Sequence, residues 1–435
     1  MQISVHKKEF ELDLEPPYQQ GFYAQRLFKH LPKSLNNQDE VELETLLQLA
    51  DGLIERVGYG HELDEIEELL ESQPEKWPMA ARVIVKLSRS KLSLRQRSKS
   101  LHLSVVVPLY AEHQRMMRSF EHTAGEDFIN QKLRQMNWLC NDETSCTFEM
   151  ILVDDGCPHG SGRLAEAILA QHHPDEPARV IYLEDAIAQN HPALASLGSA
   201  LESQKGGAVH LGMWEAASSE TDPHREHIVT FTDADLSTHL GQLGLLIEPL
   251  ELPGVKVAAG SRRTRKSVVV KKSGRSARGR LFIYLWKKLL PELGYLDDTQ
   301  CGFKALRADQ VRALTASATQ QGFTFDVELL LMAELMQRRS VAQVPIAWTD
   351  SDAASNTKSS GIHLSMLKNI ASLSRRLGDK RAYCEAFSDA IERLNEDSWQ
   401  KAIEDFGPLL ENVDPILDGD AQYIQPKDIM RLQPA

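Results

Sequence analysis

The chain has 435 residues, 42% of them hydrophobic and 26% charged, with a formal net charge of −13. That length exceeds one typical core and asks for two or three modules, while the apolar content is ample for burial and excludes a disordered chain. No apolar stretch of about 18 residues occurs, since Leu281–Leu290 is short and interrupted by Lys287 and Lys288, and Met1–Lys8 lacks the apolar core of a signal peptide; a cytoplasmic protein, at most peripheral to the inner face of a membrane, is expected.

Residues 1–100 read as a mostly helical, acidic module. Ile3, Val5, Phe10, Leu12 and Leu14 suggest a hairpin, and Val41, Leu43, Leu46, Leu47, Leu49, Ala50, Leu53, Ile54 and Val57 then recur at helical spacing. A second acidic helix is expected near Glu62–Glu71 and a third near Pro78–Leu87, with Pro78 at a plausible first-turn position. Asp39–Lys76 holds thirteen acidic and two basic residues, and Ser88–Ser100, rich in Ser, Lys and Arg, reads as a linker.

Residues 101–350 alternate strands and helices, the pattern of a mostly parallel sheet whose ligands bind outside the carboxyl ends of its strands. Leu103–Val107 is an apolar strand running into Pro108-Leu109-Tyr110-Ala111-Glu112, and Met150–Val153 runs into Asp154-Asp155-Gly156. Ile228–Phe231 ends in Thr232-Asp233-Ala234-Asp235. At an extended strand end alternate side chains share a face, so Asp233 and Asp235 can converge on one hard cation, although an isolated Asp-x-Asp is more often a solvated turn. Glu112, Asp154 or Asp155, and Asp233 suit a ribose and a base edge, and Tyr110 suits stacking on the base. Acids cannot hold phosphates, so a metal and nearby cations must.

Lys205-Gly206-Gly207 precedes a helix to about Ala217 and could present backbone N–H groups and a cation to an anion, or be an ordinary glycine turn. Arg262 follows the strand Val255–Ala259 and should emerge at the same sheet edge as Asp235. Ser261–Pro291 contains eleven Lys or Arg and no acid, which attracts phosphate in a nucleotide, a lipid or a nucleic acid. Nucleic acid is disfavoured because Phe282, Tyr284 and Trp286 sit on a helix whose core would claim them. Phe325-Asp326-Val327-Glu328 opens a helix with its acids in the first turn. Residues 351–435 read as a polar loop followed by helices, with an apolar stripe of Leu364, Leu367, Ile370, Leu373 and Leu377 suited to a core or to the interface of a homo-oligomer.

In this order, V-P-L-Y-A-E, V-D-D-G, Q-K-G-G-A-V-H-L-G-M, T-D-A-D, A-G-S-R, D-T-Q-C-G-F-K and F-D-V-E-L-L resemble family-2 glycosyltransferases of the GT-A fold. The similarity is greatest to the dolichyl-phosphate β-glucosyltransferase and polyprenyl-phosphate mannosyltransferase branch, over about residues 101–350. The resemblance implies a Rossmann-like, mostly parallel sheet with flanking helices, here with added N-terminal and C-terminal helical regions. It implies an inverting transfer from a nucleotide-diphosphate sugar, UDP-glucose in preference to GDP-mannose, with Mg or Mn on Asp233 and Asp235. Donor-binding residues would be Pro108, Leu109, Tyr110, Glu112, Asp154, Asp155, Lys205, Asp233, Ala234 and Arg262. Asp298 and Gln300 would bond sugar hydroxyls beside Gly302, Asp326 would be the base or acceptor-orienting acid with Glu328 as alternate, and Arg275 and Arg278 would position an acceptor phosphate. The acceptor is expected to be a polyprenyl phosphate, with a soluble sugar, small molecule or protein as the alternative.

Three departures stand out. The usual N-x-G-K-G context becomes Glu202-Ser203-Gln204-Lys205-Gly206, Cys157 replaces the serine common after D-D-G, and the segment after Trp348-Thr349-Asp350 is longer, displacing Lys358 in a loop expected to fold over bound donor. Five cysteines without a secretion signal read as reduced thiols, and Cys140, Cys146 and Cys157 beside His159, His172 and His173 match no standard zinc spacing. Two other classes compete: a haloacid-dehalogenase-type phosphohydrolase with Asp233 as nucleophile, for which Ser237 stands where Thr belongs, and a non-catalytic scaffold whose acidic helices bind a basic partner.

Overall fold

The computed structural model of the chain describes residues 28, 31, 35–36, 38–57, 60–141, 144–219, 221–270, 277–350, 360–411 and 423–432. The hairpin expected within residues 3–14, Arg275, and the segment carrying Lys358 lie outside them.

Three helices come first: α1 (Glu40–Val57), α2 (Gly60–Ser72) and α3 (Met79–Arg95). α3 runs through most of the stretch expected to be a linker. Several of its Lys and Arg residues face acids: Lys91 Nζ donates to Asp51 Oδ1 at 2.8 Å, Arg89 meets Asp64 at 2.6 Å and Glu67 at 2.8 Å, and Lys86 lies 3.5 Å from Glu67. Three acids of α1 and α2, Asp51, Asp64 and Glu67, are thus answered inside the fold. Leu87, Leu92 and Leu94 join the apolar cluster that also contains Leu103 and Val105 of the sheet.

The central sheet is built from β1 (Leu101–Leu109), β2 (Cys146–Asp154), β3 (Ala178–Tyr182), β4 (Glu226–Thr232), β5 (Val257–Ser261), β7 (Phe303–Arg307) and β8 (Val341–Pro345), in the order β3-β2-β1-β4-β7-β5-β8. Only β7 is antiparallel to its neighbours. A small parallel pair, β6 (Val268–Val270) and β9 (Ala347–Thr349), stands beside it. Between the strands run α4 (Phe128–Leu139), α5 (Ser161–His172), α6 (Leu183–Ala188), α7 (Gly206–Ser218), α8 (Leu243–Leu250), α9 (Ala277–Leu289), α10 (Ala308–Thr315) and α11 (Phe325–Met336). Buried apolar strands need cover on both faces: α3, α4 and α8 cluster with one face and α7, α9 and α11 with the other. The architecture is the mostly parallel, Rossmann-like sheet with terminal helices that the motif order implies.

The C-terminal helices α12 (Ser360–Leu377), α13 (Ala382–Glu392) and α14 (Glu396–Phe406) pack on α9. The Leu364, Leu367, Ile370 and Leu373 stripe is core. Phe282, Tyr284 and Trp286 are buried there as expected, and so are Lys287 and Lys288. Lys287 Nζ donates to the Gly294 carbonyl at 2.7 Å, while Lys288 lies 5.1 Å from the Tyr284 ring centre. These two cations serve packing rather than phosphate. No described helix is long and apolar enough to cross a membrane.

Candidate active site

β1, β2 and β4 are adjacent and parallel, with Leu109 opposite Asp154 and Val106 opposite Phe231, so their carboxyl ends open on one side of the sheet. A cavity of about 860 Å³ lies there. It brings together Pro108, Tyr110, Glu112, Asp155, Lys205, Asp233, Ala234, Asp235, Arg262, Asp298, Gln300 and Asp326, twelve of the residues singled out in the sequence.

The Asp233-Ala234-Asp235 turn forms its floor. Asp233 N–H donates to the Gly302 carbonyl at 3.2 Å, and a Cβ on Gly302 would overlap the Asp233 carboxylate, so glycine is required by this contact. The Asp233 side chain is 39% exposed, but to the cavity, and it is ion-paired with Lys205 Nζ. Burial favours its neutral form, yet the charges of Lys205, Arg262 and Lys132 outweigh that and hold its carboxyl below the ordinary range. Asp235 is pushed the other way by burial and by Asp233. Glu112 rises to about 7, chiefly through burial, despite its 2.5 Å bond from Arg115.

Lys205 adopts φ 81°, a strained backbone for a residue with a side chain, and its N–H is anchored on Asp155 Oδ2 at 2.7 Å. Asp155 itself is raised to about 6 by burial. The glycines after Lys205 have a packing explanation: a Cβ on Gly206 would come within 2.6 Å of the Gln321 backbone, and Gly207 N–H donates to the Gln321 carbonyl at 3.2 Å. They mark a close backbone crossing. The Cys157 departure is likewise structural, its Sγ accepting the Ala111 N–H at 3.2 Å.

Arg262 does emerge at this edge, and Asp298 clasps it with both oxygens, Nε to Oδ2 at 2.7 Å and Nη2 to Oδ1 at 2.9 Å. Burial opposes ionisation of Asp298, but Arg262 overrides it and keeps the carboxyl far below its usual range. Asp298 therefore aims Arg262, which also lies 5.5 Å from the Trp348 ring centre, and is not free for sugar hydroxyls. Gln300, by contrast, lines the cavity with an Nε2 that has no hydrogen-bond partner among the described residues. Asp326 accepts a 2.5 Å bond from the fully buried Lys304, and burial nevertheless pushes its carboxyl up.

Leu109, Asp154, Glu328 and Arg278 do not line the cavity. Asp154 accepts the Cys157 and Gly162 N–H groups at 2.9 and 2.7 Å and so holds the start of α5. Glu328, two helical positions beyond Asp326, points elsewhere: it accepts from Thr319 N at 2.9 Å and Gln320 N at 2.7 Å and pairs with Arg376. Arg278 lies in the first turn of α9 near His363. Cys140 and Cys146 are not separate thiols but a disulfide pair, Cα atoms 4.7 Å apart.

Sequence reasoning missed Lys132, Arg115 and Lys304. Lys132 is wholly buried and donates to the Asp235 carbonyl at 2.9 Å, and burial lowers its pKa to about 8 against the pull of the surrounding acids. Its one signal was position: it interrupts the apolar face Phe128, Ile129, Leu133, Met136 of α4.

Asp233 and Asp235 suit Mg or Mn, which take hard oxygen donors. The Asp235 carboxyl is raised first by burial and then by Asp233, against the pull of Lys132 and Arg115, and a cation bound between the two carboxylates would offset both causes.

No protein-family model matches the chain. It is 27% identical over 268 residues to a dolichyl-phosphate beta-glucosyltransferase of Drosophila melanogaster, covering 60% of this chain and 71% of that protein. The enzyme of that name from Dictyostelium discoideum is 24% identical over 260 residues, covering 59% and 68%. The solved structure of glucosyl-3-phosphoglycerate synthase from Mycobacterium tuberculosis, in complex with Mn2+, UDP and glucosyl-3-phosphoglycerate, is 18% identical with a TM-score of 0.43, covering 68% of this chain and 85% of that one. The fold, the acidic turn at the end of β4 and the two relatives support a family-2-like glycosyltransferase of the GT-A fold.

Proposed function

We propose that the chain is an inverting hexosyltransferase that moves glucose from UDP-glucose to a polyprenyl phosphate met at a membrane surface, its residues 101–350 forming the catalytic domain between helical modules 1–100 and 351–435. The observation that carries this reading is the mixed lining of the cavity. Besides the acids and cations described above it includes the apolar Phe282, Ile283 and Trp286 from α9 and Ile362 and Met366 from α12, with His363 among them. A water-soluble acceptor has no use for those apolar groups, whereas a phosphate on a hydrocarbon chain fits both kinds of lining.

In this reading the half-exposed Tyr110 stacks on the base and Asp155 accepts from its edge. Mg or Mn on Asp233 and Asp235 would offset charge on the leaving diphosphate. Arg262 and Lys205, held by Asp298 and Asp233, add fixed positive charge beside it. Gln300 offers its free amide to the sugar. An acceptor phosphate oxygen attacks the anomeric carbon, the bond from that carbon to the diphosphate breaks, and UDP leaves with the electron pair. The attacking oxygen is already anionic, so no proton has to be removed; Asp326, tied to Lys304, orients rather than abstracts.

The test incubates the full chain with Mg or Mn, a panel of nucleotide sugars and a short polyprenyl phosphate in detergent. Glucosyl transfer with UDP release, at a rate that does not climb with a base titrating near neutrality, is expected. Transfer to a soluble sugar or protein with none to the lipid phosphate would overturn the acceptor assignment, and a strong rise of rate with pH would restore Asp326 as a base.

A further inference from the structure

The same three strands that carry the candidate active site at their carboxyl ends carry another polar cluster at their starts. His102 of β1 stands opposite both Thr147 of β2 and His227 of β4, and Ser104 stands opposite Glu149. Side chains two apart share a face, so His102, Ser104, Glu149 and His227 lie on the face whose next positions, Val106, Ile151 and Val229, are fully buried core. The apolar rows turn polar together, on three strands, at one rim.

The arrangement is specific. His102 Nδ1 is 3.0 Å from Thr147 Oγ1, which fixes the ring and leaves Nε2 buried and without a hydrogen bond, 3.9 Å from Glu149 Oε1. Ser104 Oγ donates to Glu149 Oε1 at 2.7 Å and lies 2.8 Å from His227 Nε2. One donor atom from each of His102, Glu149 and His227 falls within 4.8 Å of the other two. Two imidazoles and a carboxylate are a zinc donor set with a fourth position open, and tetrahedral zinc with bonds of roughly 2.0–2.1 Å asks for ligands about 3.4 Å apart, a closure that side-chain rotation can supply. A cavity of about 520 Å³ reaches His227, with Ala217, Glu226 and Arg312 among its walls, and gives an ion access. Ser104 and Thr147 supply the outer hydrogen bonds that metal ligands customarily have.

We infer that His102, Glu149 and His227 form a zinc-type transition-metal site, distinct from the Asp233–Asp235 turn, that ties the starts of β1, β2 and β4 together. Hard Mg or Mn would favour the all-oxygen turn, and a borderline ion the imidazoles.

The experiment strips the full chain with EDTA, restores excess Mg to fill the oxygen site, and titrates zinc and cobalt. One equivalent of cobalt should give visible bands of a four-coordinate ion with nitrogen ligands, X-ray absorption of the zinc form should show two imidazoles, and loading should raise the Tm. His102→Asn and His227→Asn should abolish the bands, and Ser104→Ala, which removes the hydroxyl contacts to Glu149 and His227 but no ligand, should weaken binding by about tenfold. The inference fails if the wild-type protein takes up no metal with two imidazole ligands, a result that needs no variant to fold, or if folded His102→Asn binds as the wild type does.

Discussion

The two ends of β1, β2 and β4 solve the problem of buried acid in opposite ways. At the carboxyl end Asp233, Asp298 and Asp326 meet fixed cations, Lys205, Arg262 and Lys304, brought from other parts of the chain. At the amino end Glu149 meets hydroxyls and imidazoles, with Arg179 no nearer than 3.8 Å. Lys205 and Arg262 outweigh burial and keep Asp233 and Asp298 ionised, whereas burial still pushes Asp326 up beside Lys304; at the amino end hydrogen bonding, not a close cation, holds Glu149 low. An acidic residue at a strand end thus takes its role from what the rest of the chain places beside it.

The sharpest break in that comparison is at the crowded turn. Asp235→Asn should cut transfer by on the order of a hundred- to a thousandfold while the Tm stays level or rises, because the change removes a carboxyl that burial and Asp233 already penalise. Initial rates and melting curves on one preparation check this; a Tm that falls with the rate would make Asp235 a structural residue. Next in size, Asp298→Asn strands the Arg262 guanidinium. The loss in stability should be about 3 kcal/mol, at the low end for a broken buried pair because Arg262 reaches the cavity, and the donor KM should rise. Denaturant unfolding and steady-state kinetics measure the two, and an unchanged KM would separate Arg262 from the donor.

The smallest effect concerns pH. Glu112 has a folded-state pKa of about 7 against 4.5 for the free side chain, so its contribution is fully present below 4.5 and is lost as pH rises through 7. Glu112→Gln does not titrate. The Tm of the variant minus that of the metal-free wild type should therefore climb by a few degrees between about pH 4.5 and 7 and then level off. A flat difference would mean that Arg115 and the cavity water already solvate the carboxylate.

Much of the site was legible because its signals are local. An apolar run ending in acids marks β1, β2 and β4 wherever they fold, and Arg262 after an apolar strand had to appear at the same edge. Pairing was not legible. Asp298 looked like a sugar ligand until Arg262, 36 residues away, took both its oxygens, and Glu328 looked like a spare base until Arg376 and the Thr319–Gln320 backbone took its oxygens. Glycines 206 and 207 stayed open between an anion turn and an ordinary turn because the Gln321 backbone they pass is more than a hundred residues distant. The stretch that looked like a linker is helical because α1 and α2 supply its counter-charges.

The sequence by itself determined the order of strands and helices, the class of fold and the acidic turn that names the chemistry, because apolar period and strand-end composition act over a few residues. Only the tertiary structure decided which carboxylates are committed and which are free, that Lys132 lies beneath the Asp235 backbone, and that His102, Glu149 and His227 share one face. Those outcomes depend on register between strands and on desolvation inside a closed core, and both arise from contacts among residues tens to hundreds of positions apart.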